Sequence, residues 1–195
     1  MRRVSRFLLL AVLVVGLLLP TVSRTAEPTS RPRAWATKID RPGLPNLYKI
    51  NDGLYRGAQP TAEGLKELEK LGVKTVVNLR SEHSDKEILG GVPLVLVEIP
   101  MSAWDMREEY VVRFLKIVLD KDRQPVFVHC QHGADRTGTL CAAYRVAVDG
   151  WTKRQALDEM TKGGFHFHSF WSNLPKFIEK LDVEKVTAKA GLQKQ

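Results

Sequence analysis

Cysteine is nearly absent: the 195-residue chain has two. That excludes a small scaffold stapled by disulfides. Metal-ligand spacing is missing as well. His166-Phe167-His168 is a lone pair at i, i+2 and reads as surface or packing, so neither a metal nor another cofactor is expected. Aromatic residues make up 8% of the chain, and no basic stripe interleaves with them, which argues against nucleic acid as a partner. No internal repeat occurs. No uncharged run reaches the roughly 20 residues of a spanning helix.

The longest apolar run, Phe7 to Leu19, has thirteen residues and follows the basic segment Met1-Arg2-Arg3-Val4-Ser5-Arg6. A short apolar core behind a basic flank suits a signal peptide, and Pro20 ends it. Thr21-Val22-Ser23 and Arg24-Thr25-Ala26 both end in a small residue, but neither is a clean cleavage site. Residues 1–26 are therefore read as a signal peptide or an N-terminal membrane anchor, and the rest of the chain as exported. Residues 27–45, rich in Pro, Thr, Ser and Arg, read as a tether. The formal charge is +8. Setting aside the four arginines before Glu27, where no acid occurs, leaves +4, an ordinary balance for a domain that binds anions.

What is present is concentrated in His129-Cys130-Gln131-His132-Gly133-Ala134-Asp135-Arg136-Thr137-Gly138. Before it, Pro125 to His129 reads as a short buried strand. After it, Thr137 to Val148 reads as a helix that is apolar on most sides and so buried. A loop between such elements can curl until its backbone N–H groups converge on one centre. Aimed by the helix dipole, that nest binds an anion. The candidate phosphate-binding positions are Gln131, His132, Gly133, Ala134, Asp135 and Arg136. Gly133 supplies left-handed freedom. Arg136 can donate two parallel hydrogen bonds to phosphate oxygens. Cys130 lies at the base, where a thiolate with its pKa lowered by the helix N-terminus would face phosphorus.

This stretch resembles the Cys-x5-Arg-Thr signature of cysteine-dependent tyrosine and dual-specificity phosphatases. Leu54-Tyr55-Arg56-Gly57-Ala58-Gln59-Pro60 and Val76-Val77-Asn78-Leu79-Arg80 are similar to segments of small bacterial members, and the resemblance spans about Leu47 to Leu181. It implies that Cys130 is a nucleophile forming a phosphocysteine and that Arg136 binds phosphate and stabilises the transition state. It further implies that His129 helps hold the thiolate and that Thr137 hydrogen-bonds Cys130. The implied activity is metal-independent hydrolysis of phosphotyrosine, with phosphoserine and phosphothreonine as further substrates. A phosphoinositide or small-molecule phosphate monoesterase is the alternative within enzymes. A catalytically inactive phosphate-binding module is the alternative outside them.

The leaving oxygen needs a proton, which the family takes from an Asp on a loop before the cysteine. Asp105 is the candidate, though Asp105-Met106-Arg107-Glu108 also fits a capping box for a helix Met106 to Leu119. Asp135, inside the nest, is its rival. No lysine lines the loop, which counts against polyphosphorylated substrates. Cys141 lies in an apolar helix context and reads as a core residue.

The remaining pattern alternates strand and helix. A hairpin is expected over Leu47–Tyr55 around Asn51-Asp52-Gly53, then a helix capped by Thr61 and ended by Gly72. Strands follow at Val73–Leu79 and Leu94–Ile99. Later helices run from the Thr152 capping box to Met160 and over Trp171–Leu181. The fold class is α/β, a mainly parallel central sheet flanked by helices, with the phosphate loop between a strand and a helix. The domain is placed at 46–182, and 183–195 reads as a flexible tail.

Overall fold

The computed structural model describes residues 34–192. The leader, read as a signal peptide or anchor, and residues 27–33 of the tether lie outside them. Among the described residues no helix is long and apolar enough to cross a membrane.

Six strands form one mixed sheet: β1 (Thr37–Lys38), β2 (Tyr48–Asn51), β3 (Leu54–Gly57), β4 (Thr75–Asn78), β5 (Val95–Glu98) and β6 (Val126–His129). Their spatial order is β1-β2-β3-β6-β4-β5. The pairs β3–β6, β6–β4 and β4–β5 are parallel, while β1–β2 and β2–β3 are antiparallel. The expected hairpin is β2–β3. Its turn is closed by Asn51, whose Oδ1 accepts from the Gly53 N–H and whose Nδ2 donates to the Tyr144 hydroxyl.

Alternation along the strands divides the core in two. Tyr55, Val76 and Phe127 face α1 (Ala62–Lys70), whose Leu65 and Leu68 are buried against them. Leu54, Val77, Val126 and Val128 face the opposite side. There α2 (Glu108–Leu119), α3 (Asp135–Ala147), α4 (Lys153–Lys162), α5 (Asn173–Lys180) and α6 (Val183–Ala190) pack. Strands β3, β4 and β6 are short and buried on both faces, and β4 and β6 are rich in β-branched residues, as a parallel sheet covered by helices requires.

Three expectations are corrected. The tail is no tail up to residue 190: Asp182 caps α6 by accepting from the Lys185 N–H, Val186 is fully buried, and Lys185 pairs with Glu108 on α2 at 2.6 Å. A helix of eight residues with so few apolar positions gives almost no periodic signal. The tether is part of the domain from about residue 36, since Thr37–Lys38 pairs with β2 and Leu44 is buried. The capping box at Asp105 does not form. Helix α2 starts at Glu108, behind Arg107, and no side chain caps it.

Register decides where the site falls. Gly57, Asn78 and His129 are level at the carboxyl ends of β3, β4 and β6. The residues that follow all emerge on one edge, which is where parallel sheets place their ligands.

Candidate active site

The chain turns from β6 into α3 through residues 130–134. Cys130 lies at the base, 2% exposed. Four outward hydrogen bonds shape the loop. The Cys130 carbonyl accepts from His129 Nδ1 (3.1 Å) and the Gln131 carbonyl from the Gln59 N–H (3.2 Å). The His132 carbonyl accepts from Asn46 Nδ2 (2.9 Å) and the Gly133 carbonyl from Arg56 Nη2 (2.7 Å). In a trans peptide the N–H points opposite to the C=O. Holding four successive carbonyls outward therefore turns the N–H groups of Gln131, His132, Gly133 and Ala134 inward. Among the described residues, no partner takes the N–H groups from Gln131 to Arg136. This is the anion nest.

Gly133 is indispensable to it. Its φ is +68°, and a Cβ there would stand 2.3 Å from the Gly57 carbonyl. Arg56, buried to 1% exposure, is clamped on the other side by stacking over Phe165 at 3.7 Å. Arg136 opens α3 and is held by the Met101 carbonyl at 3.4 Å, leaving its guanidinium beside the nest.

Beneath the loop sits an element that sequence reasoning missed. His129 Nε2 meets Asp85 Oδ2 at 2.8 Å, and both residues are buried. Gln59 Nε2 donates to the other Asp85 oxygen at 2.5 Å. Both ring nitrogens of His129 thus face acceptors. One is the Cys130 carbonyl and the other the Asp85 carboxylate, so the ring ties the loop to the acid beneath it. Burial alone would raise the Asp85 carboxyl. The His129 hydrogen bond, its charge and the Gln59 amide outweigh that and hold it below the usual carboxylate range. A folded-state value below the unfolded one adds stability above the unfolded value of about 4 and loses it as pH falls further. Asp85→Asn should therefore be less stable than wild type near neutrality, with the gap closing as pH drops below about 4. Urea unfolding across pH reads this, and a gap that does not change with pH would remove the ion pair from the account.

Matching to known families decides the assignment. The family model described as "DSP-PTPase phosphatase fused to NAD+ Kinase" matches residues 48–173. The chain belongs to this phosphatase family. It is thus a protein-tyrosine or dual-specificity type of phosphatase by descent. The dual specificity protein phosphatase TpbA of Pseudomonas aeruginosa (strain UCBPP-PA14) is 37% identical over 180 residues, covering 91% of this chain and 81% of TpbA. A crystal structure of P. aeruginosa TpbA, a cysteine-to-serine variant in complex with pTyr, aligns with a TM-score of 0.74 at 34% identity, over 84% of this chain and 99% of that one. The catalytic core of the PP-IP phosphatase SIW14 from S. cerevisiae shares the fold, with a TM-score of 0.66 at 24% identity over 77% of this chain and 96% of that one.

Within the family frame, several expected residues fall differently from their sequence reading. Asp105 is exposed, pairs with Arg107, and does not line the cavity in front of the loop. The Arg107 hydrogen bond holds its carboxyl below the usual range. Asp135 is buried, and both its oxygens are taken by His168: Oδ1 by the backbone N–H at 3.0 Å and Oδ2 by Nδ1 at 2.8 Å. Thr137 is buried, but its hydroxyl has no hydrogen-bond partner among the described residues, Cys130 included. Helix α3 begins at Asp135, two residues before the expected start, so Thr137 sits inside the first turn. Cys141 is free and enclosed, and burial pushes its thiol up to about 11, which fits a core residue.

The cavity in front of the loop measures about 330 Å³ and is walled by Met101, Trp104, Gln131, Arg136, His168 and Trp171, among others. Rings continue around its mouth. Trp104 meets Trp171 at 4.5 Å, Trp171 meets Phe170 at 4.7 Å, Phe170 meets His168 at 5.8 Å, and His168 meets His132 at 5.5 Å. Trp104 is 76% exposed and Phe170 64%, so much of this arc faces solvent.

Proposed function

We propose that the protein hydrolyses phosphotyrosine, and more slowly phosphoserine and phosphothreonine, through a phosphocysteine at Cys130. The observation that carries this is the nest: four loop carbonyls tied outward, with Cys130 at its base and Arg136 at its rim. The inward N–H groups and Arg136 hold three phosphate oxygens. The Cys130 Sγ attacks phosphorus in line, the ester P–O bond breaks, and the leaving oxygen takes a proton. Water then attacks the phosphorus, the S–P bond breaks, and inorganic phosphate leaves with the thiolate restored.

The ring arc supports an aryl ester in particular. A tyrosine ring carries its phosphate far enough from the peptide to bring its own face against Trp104 and Phe170, whereas a serine side chain is too short. The pTyr complex of TpbA agrees with this reading. The expected result is faster turnover of a phosphotyrosine peptide than of its phosphoserine counterpart or of a phosphoinositide. A preference for the phosphoinositide would overturn the proposal.

The leaving-group proton is assigned to Asp105. Of the two candidate carboxylates, Asp135 is committed through both oxygens to His168. Asp105 stands on the segment whose Ser102, Ala103 and Trp104 wall the cavity, and its one strong partner is the exposed Arg107. A phosphate dianion arriving nearby raises a carboxyl's pKa and competes for Arg107, which favours the acid form when it is needed. Asp105→Asn should lose about 10²-fold or more on an alkyl phosphate and much less on 4-nitrophenyl phosphate. Equal losses on both substrates would take the role from Asp105.

The protein is also proposed to work outside the cytoplasm, supported by the basic flank and apolar run of residues 1–19. Protease added to spheroplasts of an expressing bacterial host should digest it. Full protection, with a known periplasmic protein digested alongside, would sink this reading.

A further inference from the structure

The side chains of His132, Asp135 and His168 form a cluster that takes no step in the hydrolysis proposed above. One donor atom of each lies within 4.8 Å of the other two. His132 comes from the nest, Asp135 from the first turn of α3, and His168 from the segment between α4 and α5. The set is two imidazoles and one carboxylate, the ligand type of a zinc site with one position left open. A Zn2+ ion with bonds of about 2.0–2.2 Å wants donors about 3.3 Å apart. Asp135 Oδ2 and His168 Nδ1 are already 2.8 Å apart, and His132, an exposed residue, has a ring nitrogen within 4.8 Å of both ligand groups.

The frame around the three is built. The His168 N–H holds Asp135 Oδ1, which fixes the carboxylate and turns Oδ2 toward His168 Nδ1. Asn46 Nδ2 holds the backbone of His132 and donates to the Phe165 carbonyl as well, joining the two segments that supply the histidines. Such outer contacts orient ligands before the ion arrives.

We propose that this cluster binds a divalent zinc ion at the mouth of the phosphate loop and that the bound ion stops turnover. Zn2+ replaces the contact between His168 Nδ1 and Asp135 Oδ2: any proton on Nδ1 passes through solvent to Nε2, and the freed Nδ1 lone pair takes the ion. Asp135 Oδ2 and a His132 nitrogen complete three ligands. The fourth position opens toward the cavity shared with Arg136 and Gln131. There the ion captures a phosphate oxygen of substrate or product and holds the complex in a dead end. This regulatory consequence rests on the phosphatase reading; the binding site does not.

The thiolate of Cys130 is a competing zinc ligand, so binding is measured first on full-length Cys130→Ser. Calorimetric titration with Zn2+ should show one ion per chain. His132→Ala and His168→Ala, each added to Cys130→Ser, should weaken it by roughly ten- to a hundredfold or more. Co2+ in the same protein should give the visible d–d bands of a low-coordinate nitrogen and oxygen site, with no thiolate charge-transfer band. In wild type, Zn2+ should lower hydrolysis of an aryl phosphate, a chelator should restore it, and the inhibiting concentration should rise in His132→Ala by the factor seen in binding. Unchanged zinc affinity in both histidine variants, or no binding by Cys130→Ser, overturns the site. Zinc that binds as expected without inhibiting an active wild type overturns the regulation alone. A wild type inactive on every phosphate ester would instead end the phosphatase reading, while the calorimetry still decides the site.

Discussion

Cys130→Ser is expected to abolish turnover of an aryl phosphate by about 10⁴-fold or more while leaving phosphate or vanadate binding in place. The separation follows from how the nest is made. Its N–H groups are turned inward by bonds to Asn46, Arg56, Gln59 and His129, and none of those bonds uses the sulfur. Serine keeps the volume at a position that is 2% exposed, but its hydroxyl is a far weaker nucleophile than a thiolate. Arg136→Lys should lose about 10²–10³-fold in kcat with the fold intact. Lysine keeps a charge but loses the two-pronged donation to phosphate oxygens and the contact with the Met101 carbonyl. Turnover by Cys130→Ser within tenfold of wild type would require another nucleophile. Loss of both turnover and anion binding in a folded Cys130→Ser would mean that the sulfur holds the nest open.

Glu159→Ala should cost about 3 kcal/mol of stability, far from any chemistry. Glu159 and Arg145 are buried and joined twice, Oε2 to Nε at 2.8 Å and Oε1 to Nη2 at 2.7 Å. The same Oε1 accepts the Ala36 N–H at 2.7 Å, tying the entering chain to α3 and α4. Burial alone would depress the Arg145 guanidinium. The two Glu159 bonds and the Asp149 contact outweigh it, and its pKa ends above the ordinary value. Truncating Glu159 leaves a buried cation over the Trp151 ring with Asp149 as its remaining carboxylate, and an N–H without its acceptor. For a domain of this size the melting temperature should fall by about 6–12 °C. Replacing both partners with apolar side chains, Arg145→Met with Glu159→Leu, should recover much of the loss, because the penalty lies in the uncompensated charge. A single variant that melts within a degree of wild type would show that water reaches Arg145 freely.

Much of the fold was legible from short-range pattern. The strand before Cys130, the buried helix after it, the Asn51-Asp52-Gly53 turn and the Thr152 capping box all appear where the residues put them. Each is decided by neighbours within a few positions. The starts of α2 and α3 fall two residues from their expected places; no side chain caps either helix, so no local residue pins where it begins. Helix α6 went unread because its single fully buried side chain, Val186, takes its meaning from α2, about 70 residues earlier in the chain.

The site divides in the same way. The sequence by itself determined the reactive loop: Cys130, Gly133 and Arg136 are adjacent in the chain, and their chemistry follows from residue type and spacing. What lies around the loop came only with tertiary structure. Asp85 reaches His129 across 44 positions, Arg56 reaches Gly133 across 77, and Asn46 reaches His132 across 86. His168 looked like a lone surface histidine until folding laid it against Asp135, 33 positions away. Pattern reveals what a residue can do with its neighbours in the chain. The level ends of β3, β4 and β6 decide which distant polar groups a buried loop must satisfy, and no local spacing records that choice.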